Sequence, residues 1–220
     1  DLCGGCRALS DKLTGLTMGN GEDIDNTNCA LIVGRNPSAA DPTQWLALKR
    51  AQKKGAKIIT IDPARTQAAA IADLWLQPKL GTDAAIALAM VNWMITNDRY
   101  DHDIVENYCH GFEALSERAA KYTPEYAAEI SDVPADDIVK AAEWYSDGPS
   151  CFVSGHGIDA FSAGVQTYRA FHALVAISGN LDRVGGNRRV KKPAGFTNYI
   201  EVVHKPDFRL PLDVEEQTIG

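Results

Sequence analysis

Short runs of apolar, largely β-branched residues recur along this chain, and each is followed by a loop and then by a helical pattern. The runs are residues 30–34 (ALIVG), 57–61 (KIITI) and 150–154 (SCFVS). Apolar runs of this length, without polar alternation, are typical of strands that are buried on both faces of a parallel sheet. The repeated order of strand and helix therefore predicts an α/β fold, with a mainly parallel, Rossmann-like sheet flanked by helices in three αβα layers.

Helical patterns fill the segments between these strands. Pro42 in the first turn and Gly55 at the end delimit one helix, from Asp41 to Lys54. A second helix begins at Thr82 or Asp83, and because it is apolar on nearly all sides we expect it in the core. The other predicted elements are a helix at 65–71, a strand at 73–77, several short helices within 101–147 and a helix at 164–177.

The hydrophobic periodicity fades after Gly185-Gly186, and residues 190–220 are polar and interrupted by prolines. We therefore predict one α/β domain over residues 1–189 and an extended linker or tail over 190–220 that leads toward a further domain. The first residue is Asp1 rather than Met. Together these features favour a fragment of a larger catalytic subunit.

The charge balance excludes some classes of partner. The chain has 22 Lys and Arg residues against 29 Asp and Glu residues, a net charge of −7. Because nucleic-acid-binding proteins normally present a basic face, we expect no nucleic-acid partner. No apolar run approaches the roughly 18 residues of a membrane helix, so we expect no membrane segment in this chain.

The cysteines do not suggest a disulfide framework, because their number is odd and only two are close together. They are Cys3, Cys6, Cys29, Cys109 and Cys151. The Cys3-Gly4-Gly5-Cys6 spacing is that of half a zinc site or of a redox pair. No second CxxC and no HxxxH accompany it, so zinc would need distant histidines. A lone thiolate that binds a soft transition metal stays open.

Ligands of open α/β sheets bind at the carboxyl ends of the strands, and those ends carry the residue types that chemistry needs. The four predicted strands are followed by Gly34-Arg35-Asn36-Pro37, by Asp62-Pro63, by Leu80-Gly81-Thr82-Asp83 and by Gly155-His156-Gly157-Ile158-Asp159. Because the strands are parallel, we expect all four segments along one edge of the sheet.

Two carboxylates at this edge have alternative interpretations. Asp62 has two acceptor oxygens, which suit guanine N1–H and N2–H or a ribose diol, although it also suits a helix N-cap. For Asp83, capping of the following helix by Thr82 or Asp83 is compatible with ligand contact, and the helix N-terminus with Gly81 also suits an anion.

The Gly155-His156-Gly157 segment resembles the opening of a dinucleotide-binding loop but lacks the third glycine. It indicates either close backbone approach to a diphosphate or a tight turn with a partly buried histidine. From the residues alone, both interpretations stay open.

Taken together and in order, four segments resemble the molybdenum and tungsten bis-pterin oxidoreductases of the dimethyl sulfoxide reductase type, which include formate dehydrogenases and nitrate reductases. They are residues 24–42, 53–90, 111–138 and 154–186. Each segment alone is weak, but the ordered combination is specific, and it covers about residues 1–186.

The resemblance implies a set of cofactor-binding residues. It implies that one guanosine end of a bis-molybdopterin guanine dinucleotide lies among Gly34, Asn36, Asp62, Pro63, Gly81 and Asp83. It also implies that the pterin and diphosphate region is approached by Gly155, His156, Gly157 and Asp159, with support from Gln166. Cys3 occupies the place of the catalytic thiolate that binds Mo or W, and Cys6 is the alternative.

The resemblance further implies an oxidoreductase as the intact protein, with this chain inactive by itself. Its partners would be the remaining domains of its own subunit and an iron–sulfur electron-transfer subunit, and an iron–sulfur cluster is expected in an N-terminal segment beyond this sequence. The origin is expected to be prokaryotic, with the cytoplasm and the periplasm both open as compartments.

Two departures from the formate dehydrogenase pattern keep other functions open. Gly4 stands where those enzymes tend to have His, and RVKKPAGFTN stands where they have an Arg-bearing VRGQN-like segment. The alternatives are a non-redox hydratase of the acetylene hydratase kind, a metal-free structural member such as the large iron–sulfur subunit of respiratory complex I, and a stand-alone nucleotide-binding domain.

Overall fold

Four parallel strands form one sheet in the computed structural model, which describes residues 4–16 and 21–188. In the order β3-β2-β1-β4 across the sheet, every neighbouring pair is parallel. The predicted α/β fold with a parallel sheet is therefore confirmed. The strands are β1 Cys29–Val33, β2 Lys57–Ile61, β3 Leu74–Leu76 and β4 Ser150–Ser154.

Ten α-helices and one 3₁₀ turn, Ile24–Asn26, accompany the sheet within the described ranges. The helices are α1 Gly5–Thr14, α2 Pro37–Ala40, α3 Pro42–Lys53, α4 Gln67–Ile71, α5 Asp83–Thr96, α6 His102–Tyr108, α7 Phe112–Ala119, α8 Pro124–Ser131, α9 Ala135–Ser146 and α10 Gly164–Ile177. In the part of the chain that is described, none of them is long and apolar enough to cross a bilayer. The predicted linker or tail over 190–220 lies outside the described residues and stays a prediction.

Alternate residues of β1, β2 and β4 enter two separate cores, one on each face of the sheet. Leu31 and Val33 of β1 belong to the larger core, which is filled by helices α5, α8, α9 and α10. Ala30 and Ile32 belong to the smaller core, with Leu48 of α3 and residues of α4. Because helices cover both faces, the strands need no polar side, and the predicted three-layer αβα arrangement is confirmed.

The carboxyl ends of the strands are level with one another. Val33 pairs with Ile61 on one side and with Ser154 on the other, and Ile61 pairs with Leu76. The chain runs from β1 outward through β2 and β3, and β4 then lies on the opposite side of β1. The point between β1 and β4, where the strand order reverses, is the usual place for a ligand in a sheet of this kind.

Asparagine side chains replace a neighbouring strand along the outer edge of β4. Asn187 Oδ1 accepts a hydrogen bond from the Phe152 amide at 2.8 Å, and its Nδ2 donates to the Phe152 carbonyl at 2.8 Å. Asn180 Oδ1 accepts from the Ser150 amide at 2.9 Å. The edge strand can therefore stay buried with its backbone groups satisfied.

Replacing Asn187 by alanine is expected to lower the free energy of unfolding by about 2–4 kcal/mol, since it leaves a buried donor and a buried acceptor of Phe152 unpaired. Urea denaturation measures this loss. Asn97→Ala is the matched control, because the Asn97 amide bonds the Trp93 carbonyl at the exposed surface and should cost less than about 0.5 kcal/mol. Equal losses in the two variants would contradict this role of Asn187.

Candidate cofactor-binding site

The loops after β1 and β4 are joined by backbone hydrogen bonds at the point where the strand order reverses. The Gly155 amide donates to the Val33 carbonyl at 3.0 Å, and the Gly157 amide donates to the Gly34 carbonyl at 3.1 Å. Gly34 in turn donates to the Ile61 carbonyl of β2 at 3.1 Å. Because all three amides already donate to backbone carbonyls, they are not donors to a phosphate. We call Gly34, Gly155 and Gly157 together the glycine floor of the site.

Close packing explains why this floor is made of glycine. A Cβ on Gly155 would lie 2.2 Å from the Gly34 carbonyl oxygen, and a Cβ on Gly157 would lie 2.8 Å from the same atom. Gly34 itself has φ +55°, in the left-handed region that favours glycine. The tight-turn interpretation of the Gly155-His156-Gly157 segment accounts for these contacts.

Asp62 follows β2 and is buried at the edge of the sheet. Within the described part of the chain, its side chain accepts one hydrogen bond, from the Ala64 amide at 2.8 Å. Burial raises the pKa of the Asp62 carboxyl, and the hydrogen bond from Ala64 opposes that shift. The predicted alternative, an N-cap at Asp62, is wrong because α4 begins later and its cap is Thr66, whose Oγ1 accepts from the Ala69 amide.

Asp83 lies in the first turn of α5, near enough to Asp62 to be affected by its charge. Burial raises the pKa of the Asp83 carboxyl, and the nearby negative charge of Asp62 adds to that effect. Thr82 occupies the N-cap position, but its hydroxyl donates to the Lys79 carbonyl at 2.7 Å instead of accepting from the helix. Among the described residues neither carboxylate has an ion pair, so the two present acceptor oxygens without a compensating cation.

Replacing Asp62 by asparagine is expected to leave the chain at least as stable as the wild type at pH 7 and to flatten its pH dependence. A raised folded-state pKa means that the folded state binds more protons than the unfolded state. The free energy of unfolding therefore falls as the pH rises from about 4, the unfolded value, through the raised folded value. Urea denaturation at several pH values between about 4 and 7 measures this slope.

Asn36→Ala is the control for that series, since Asn36 lies at the same edge of the sheet without a charge and should keep the wild-type slope. An Asp62→Asn variant that keeps the wild-type slope would contradict the effect of burial on this carboxyl.

The loop after β3 also meets the loop after β4. Gly81 has φ +79°, and a Cβ there would lie 3.2 Å from the Phe161 ring. This contact places the turn before α5, and with it Asp83, against the segment that continues from Asp159. The sheet edge therefore carries one continuous set of loops, as the sequence predicts.

Among the predicted site residues that the structure describes, Asp159 has the most side-chain hydrogen-bond partners. Its side chain is completely buried, and its Oδ1 accepts a hydrogen bond from the Cys6 amide at 3.1 Å. Its Oδ2 lies 3.1 Å from His156 Nδ1 and 3.3 Å from the Tyr168 hydroxyl. Burial and the charge of Asp159 raise the pKa of Tyr168, so this hydroxyl stays protonated and donates.

The remaining predicted residues lie at the edges of this site. Asn36 is half-buried, and its Oδ1 accepts from the Ser38 hydroxyl at 2.8 Å. Pro63 is exposed. Gln166 is exposed on α10, and its Oε1 accepts from Arg169 at 2.9 Å, so its support of the Gly155–Asp159 loop stays a prediction.

Two further residues at the site carry no signal in the sequence. Tyr168 lies on α10 and reaches back to the Asp159 carboxylate. Arg35 follows Gly34, and its guanidinium bonds Gln44 at 2.5 Å, the Ser154 carbonyl at 3.3 Å and Asp41 at 3.3 Å. The residue types and their spacing predict none of these contacts, and the contact of Arg35 with Ser154 joins segments 119 residues apart.

Cys3, the predicted metal ligand, lies outside the described residues. The Cys6 sulfur lies 3.9 Å from the Asp159 carbonyl oxygen and packs against Gly164, so it is directed into the protein. Cys29 and Cys151 are buried in the sheet, where burial raises the pKa of Cys151 to about 12. Over residues 4–16 and 21–188, no three His, Cys, Asp or Glu side chains form a metal-binding group.

Comparisons with a family model and with individual relatives point to the same family. A model of the molybdopterin oxidoreductase family matches residues 5–206. The F420-dependent formate dehydrogenase subunit alpha of Methanocaldococcus jannaschii is 38% identical over 165 residues, which are 74% of this chain and 24% of that protein. Acetylene hydratase of Syntrophotalea acetylenica is 39% identical over 157 residues, which are 70% of this chain and 22% of that protein.

A solved structure agrees with these relatives. Acetylene hydratase from Pelobacter acetylenicus superimposes with a TM-score of 0.68 at 36% identity, over 74% of this chain and 24% of that one. The chain thus spans about a quarter of the length of the relatives that it matches.

Proposed function

Because this chain belongs to the molybdopterin oxidoreductase family, we propose that its domain binds a guanosine end of a bis-molybdopterin guanine dinucleotide in a larger Mo or W oxidoreductase. Membership of the family supports a molybdopterin cofactor. That the cofactor is the guanine dinucleotide form is our proposal. The observation that carries the proposal is the Asp62–Asp83 pair at the carboxyl edge of the sheet.

The carboxylate pair fits a guanine base by its chemistry. Two partly buried carboxylates without a cation are costly, since burial disfavours the charged form of each and the charge of Asp62 further disfavours that of Asp83. A ligand that donates hydrogen bonds offsets this cost. Guanine offers N1–H and N2–H side by side, which match acceptor-only oxygens, whereas the adenine edge presents an acceptor at N1.

The glycine floor fits the rest of the nucleotide. A Cβ on Gly155 or Gly157 would clash with Gly34, so glycine at these positions lets the loops after β1 and β4 meet at the floor of the site. Because the amides of Gly155 and Gly157 are already bonded, we propose that donors to the diphosphate come from side chains near the floor, with His156 first among them. The histidine side chain is 58% exposed.

We also propose that Cys3 is the thiolate ligand of the metal. Gly4, which follows it, lies beside His156: the imidazole Cε1 would be 4.0 Å from a Cβ on Gly4. Cys6 is the weaker alternative because its sulfur is packed against α10. When bound, the pterin-held metal supplies the redox chemistry, while this chain binds and orients the cofactor.

The intact protein with Asp62→Asn and Asp83→Asn tests the nucleotide proposal. The amide groups add donors that face the guanine donors, so we expect the double variant to retain less than about a tenth of the wild-type guanosine cofactor. Metal analysis and release of GMP on acid hydrolysis measure the content. Asp132→Asn, an exposed carboxylate paired with Lys79, is the control and should retain the wild-type content. Full retention in the double variant would contradict the proposal.

A second candidate function is non-redox hydration, because an acetylene hydratase is found both among the relatives and among the solved structures that this chain matches. Acetylene hydratase is about as similar to this chain as the formate dehydrogenase subunit, at 39% against 38% identity. Turnover of the intact protein separates the two functions, because an oxidoreductase needs an electron acceptor or donor and a hydratase turns over without one. The 220 residues alone are expected to be inactive, because residues of further domains are needed to complete the cofactor-binding site.

A further inference from the structure

We infer that Asp159 is the positioning residue of the segment that begins α1, holding the start of this helix and the His156 imidazole in one fixed arrangement. The inference rests on the proposed function to the extent that Cys3, which lies two residues ahead of α1, is the metal ligand. The contacts of Asp159 themselves are made entirely by described residues of this chain.

The first turn of α1 has no capping side chain of its own. Gly4 occupies the N-cap position in the left-handed conformation and makes no side-chain cap. Helices leave their first amides unpaired, and an adjacent Ser, Thr, Asp or Asn normally satisfies one of them. Here Asp159 Oδ1 accepts from the Cys6 amide at 3.1 Å, across 153 residues of sequence. A negative carboxylate at this helix end is also favoured by the helix dipole.

The same carboxylate determines how His156 is oriented. An ionised carboxylate only accepts hydrogen bonds, so the His156 Nδ1 at 3.1 Å is a donor to Oδ2, and the Tyr168 hydroxyl shares its single proton between Oδ2 at 3.3 Å and the Gly155 carbonyl at 3.2 Å. Because the Asp159 side chain is completely buried, its three partners leave it little freedom to turn.

Helix α1 is further held by the helix that follows Asp159. The Ser10 hydroxyl donates to the Val165 carbonyl at 2.7 Å, and a Cβ on Gly164 would meet the Cys6 sulfur at 2.9 Å. On its other side α1 leaves Leu9 and Leu13 exposed. The segment from Asp159 to Val165 thus fixes the position of the first turn of α1. A substitution at Asp159 removes the hydrogen bond to Cys6, three residues after Cys3.

Two substitutions separate the functions of the two carboxylate oxygens. Asp159→Asn keeps an oxygen that accepts from the Cys6 amide, but its NH₂ group can accept from neither His156 nor Tyr168. Asp159→Ala removes all three hydrogen bonds. Tyr168→Phe removes one donor and leaves the Cys6 and His156 contacts in place, so it serves as the control.

The experiment measures the thiol of Cys3 in the intact protein. Iodoacetamide alkylation, read by peptide mass spectrometry, gives the modification rate of Cys3, and X-ray absorption gives the number of sulfur atoms on the metal. In Asp159→Ala we expect alkylation of Cys3 to be about 10–100-fold faster and one sulfur ligand to be lost, as for other residues that orient metal ligands. Asp159→Asn should change the rate less than about 10-fold, and Tyr168→Phe less than about 2-fold.

Cys109 reports on the fold in the same samples, because it lies elsewhere in the chain and is only partly buried. Faster alkylation at Cys3 without a change at Cys109 supports the inference. Equal acceleration at both cysteines, or a wild-type rate at Cys3 in Asp159→Ala, overturns it. A wild-type protein without Mo or W overturns the proposed function instead, and the alkylation rates of that metal-free protein still decide the inference about Asp159.

Discussion

Replacing Cys3 by alanine in the intact protein is expected to remove one sulfur from the metal and to lower turnover by more than about 100-fold. Residues that only orient metal ligands already cost about 10–100-fold when they are changed, so the loss of a ligand should cost more. A thiolate is a suitable donor to Mo or W beside the pterin sulfurs, and alanine offers no replacement atom. X-ray absorption and steady-state turnover measure the two effects.

Cys6→Ala is the matched control within the same CxxC sequence. Its sulfur packs against Gly164 on α10, so the variant should keep the metal–sulfur count, while the Cys6 amide still donates to Asp159. If Cys3→Ala keeps full turnover and all its sulfur ligands while Cys6→Ala loses one, then Cys6 is the ligand and the assignment of Cys3 is wrong.

Replacing Gly155 by alanine is expected to lower the free energy of unfolding by about 3 kcal/mol or more. The added Cβ would lie 2.2 Å from the Gly34 carbonyl oxygen and 2.6 Å from the Arg35 Cβ, and backbone atoms at the ends of two core strands have little room to shift. Overpacking of this kind typically costs about 1–3 kcal/mol, and more where backbone must move. Urea denaturation of the chain measures the loss.

Gly111→Ala distinguishes this steric effect from the ordinary preference for glycine. Gly111 has φ +80°, but a Cβ there would meet nothing within 4 Å. Its replacement should cost only about 1–2 kcal/mol of left-handed strain. A Gly155→Ala variant that loses no more stability than Gly111→Ala would show that the loops after β1 and β4 are not packed together.

The strands and most helices are predictable because their signals are local. Residues 57–61 and 150–154 are predicted as strands with the same bounds that the structure gives, and the Gly164–Ile177 helix likewise. The apolar composition of the Thr82–Asn97 segment correctly predicts burial of α5, whose residues from Ala85 to Ala87 are all buried. The resemblance to the molybdopterin family is likewise confirmed by the family match and by the relatives.

Features that depend on distant residues were not predictable. Helix α1 has no local cap, since its first turn is satisfied by Asp159, and no sequence spacing links Cys6 to that residue. The Gly155-His156-Gly157 segment leaves both backbone approach to a diphosphate and a tight turn open, and only the structure shows that two of its amides join the loops after β1 and β4. In each case, a tertiary contact competes with the local signal and prevails.

The nucleotide content of the intact wild-type protein tests the central claim most directly. Acid hydrolysis followed by chromatography identifies the released nucleotides, and elemental analysis of the same sample gives Mo and W. The proposed bis-molybdopterin guanine dinucleotide cofactor predicts about two GMP per metal atom, with no CMP or AMP. A protein that carries the metal without GMP, or that carries neither, would contradict the assignment of Asp62 and Asp83 as guanine-binding residues.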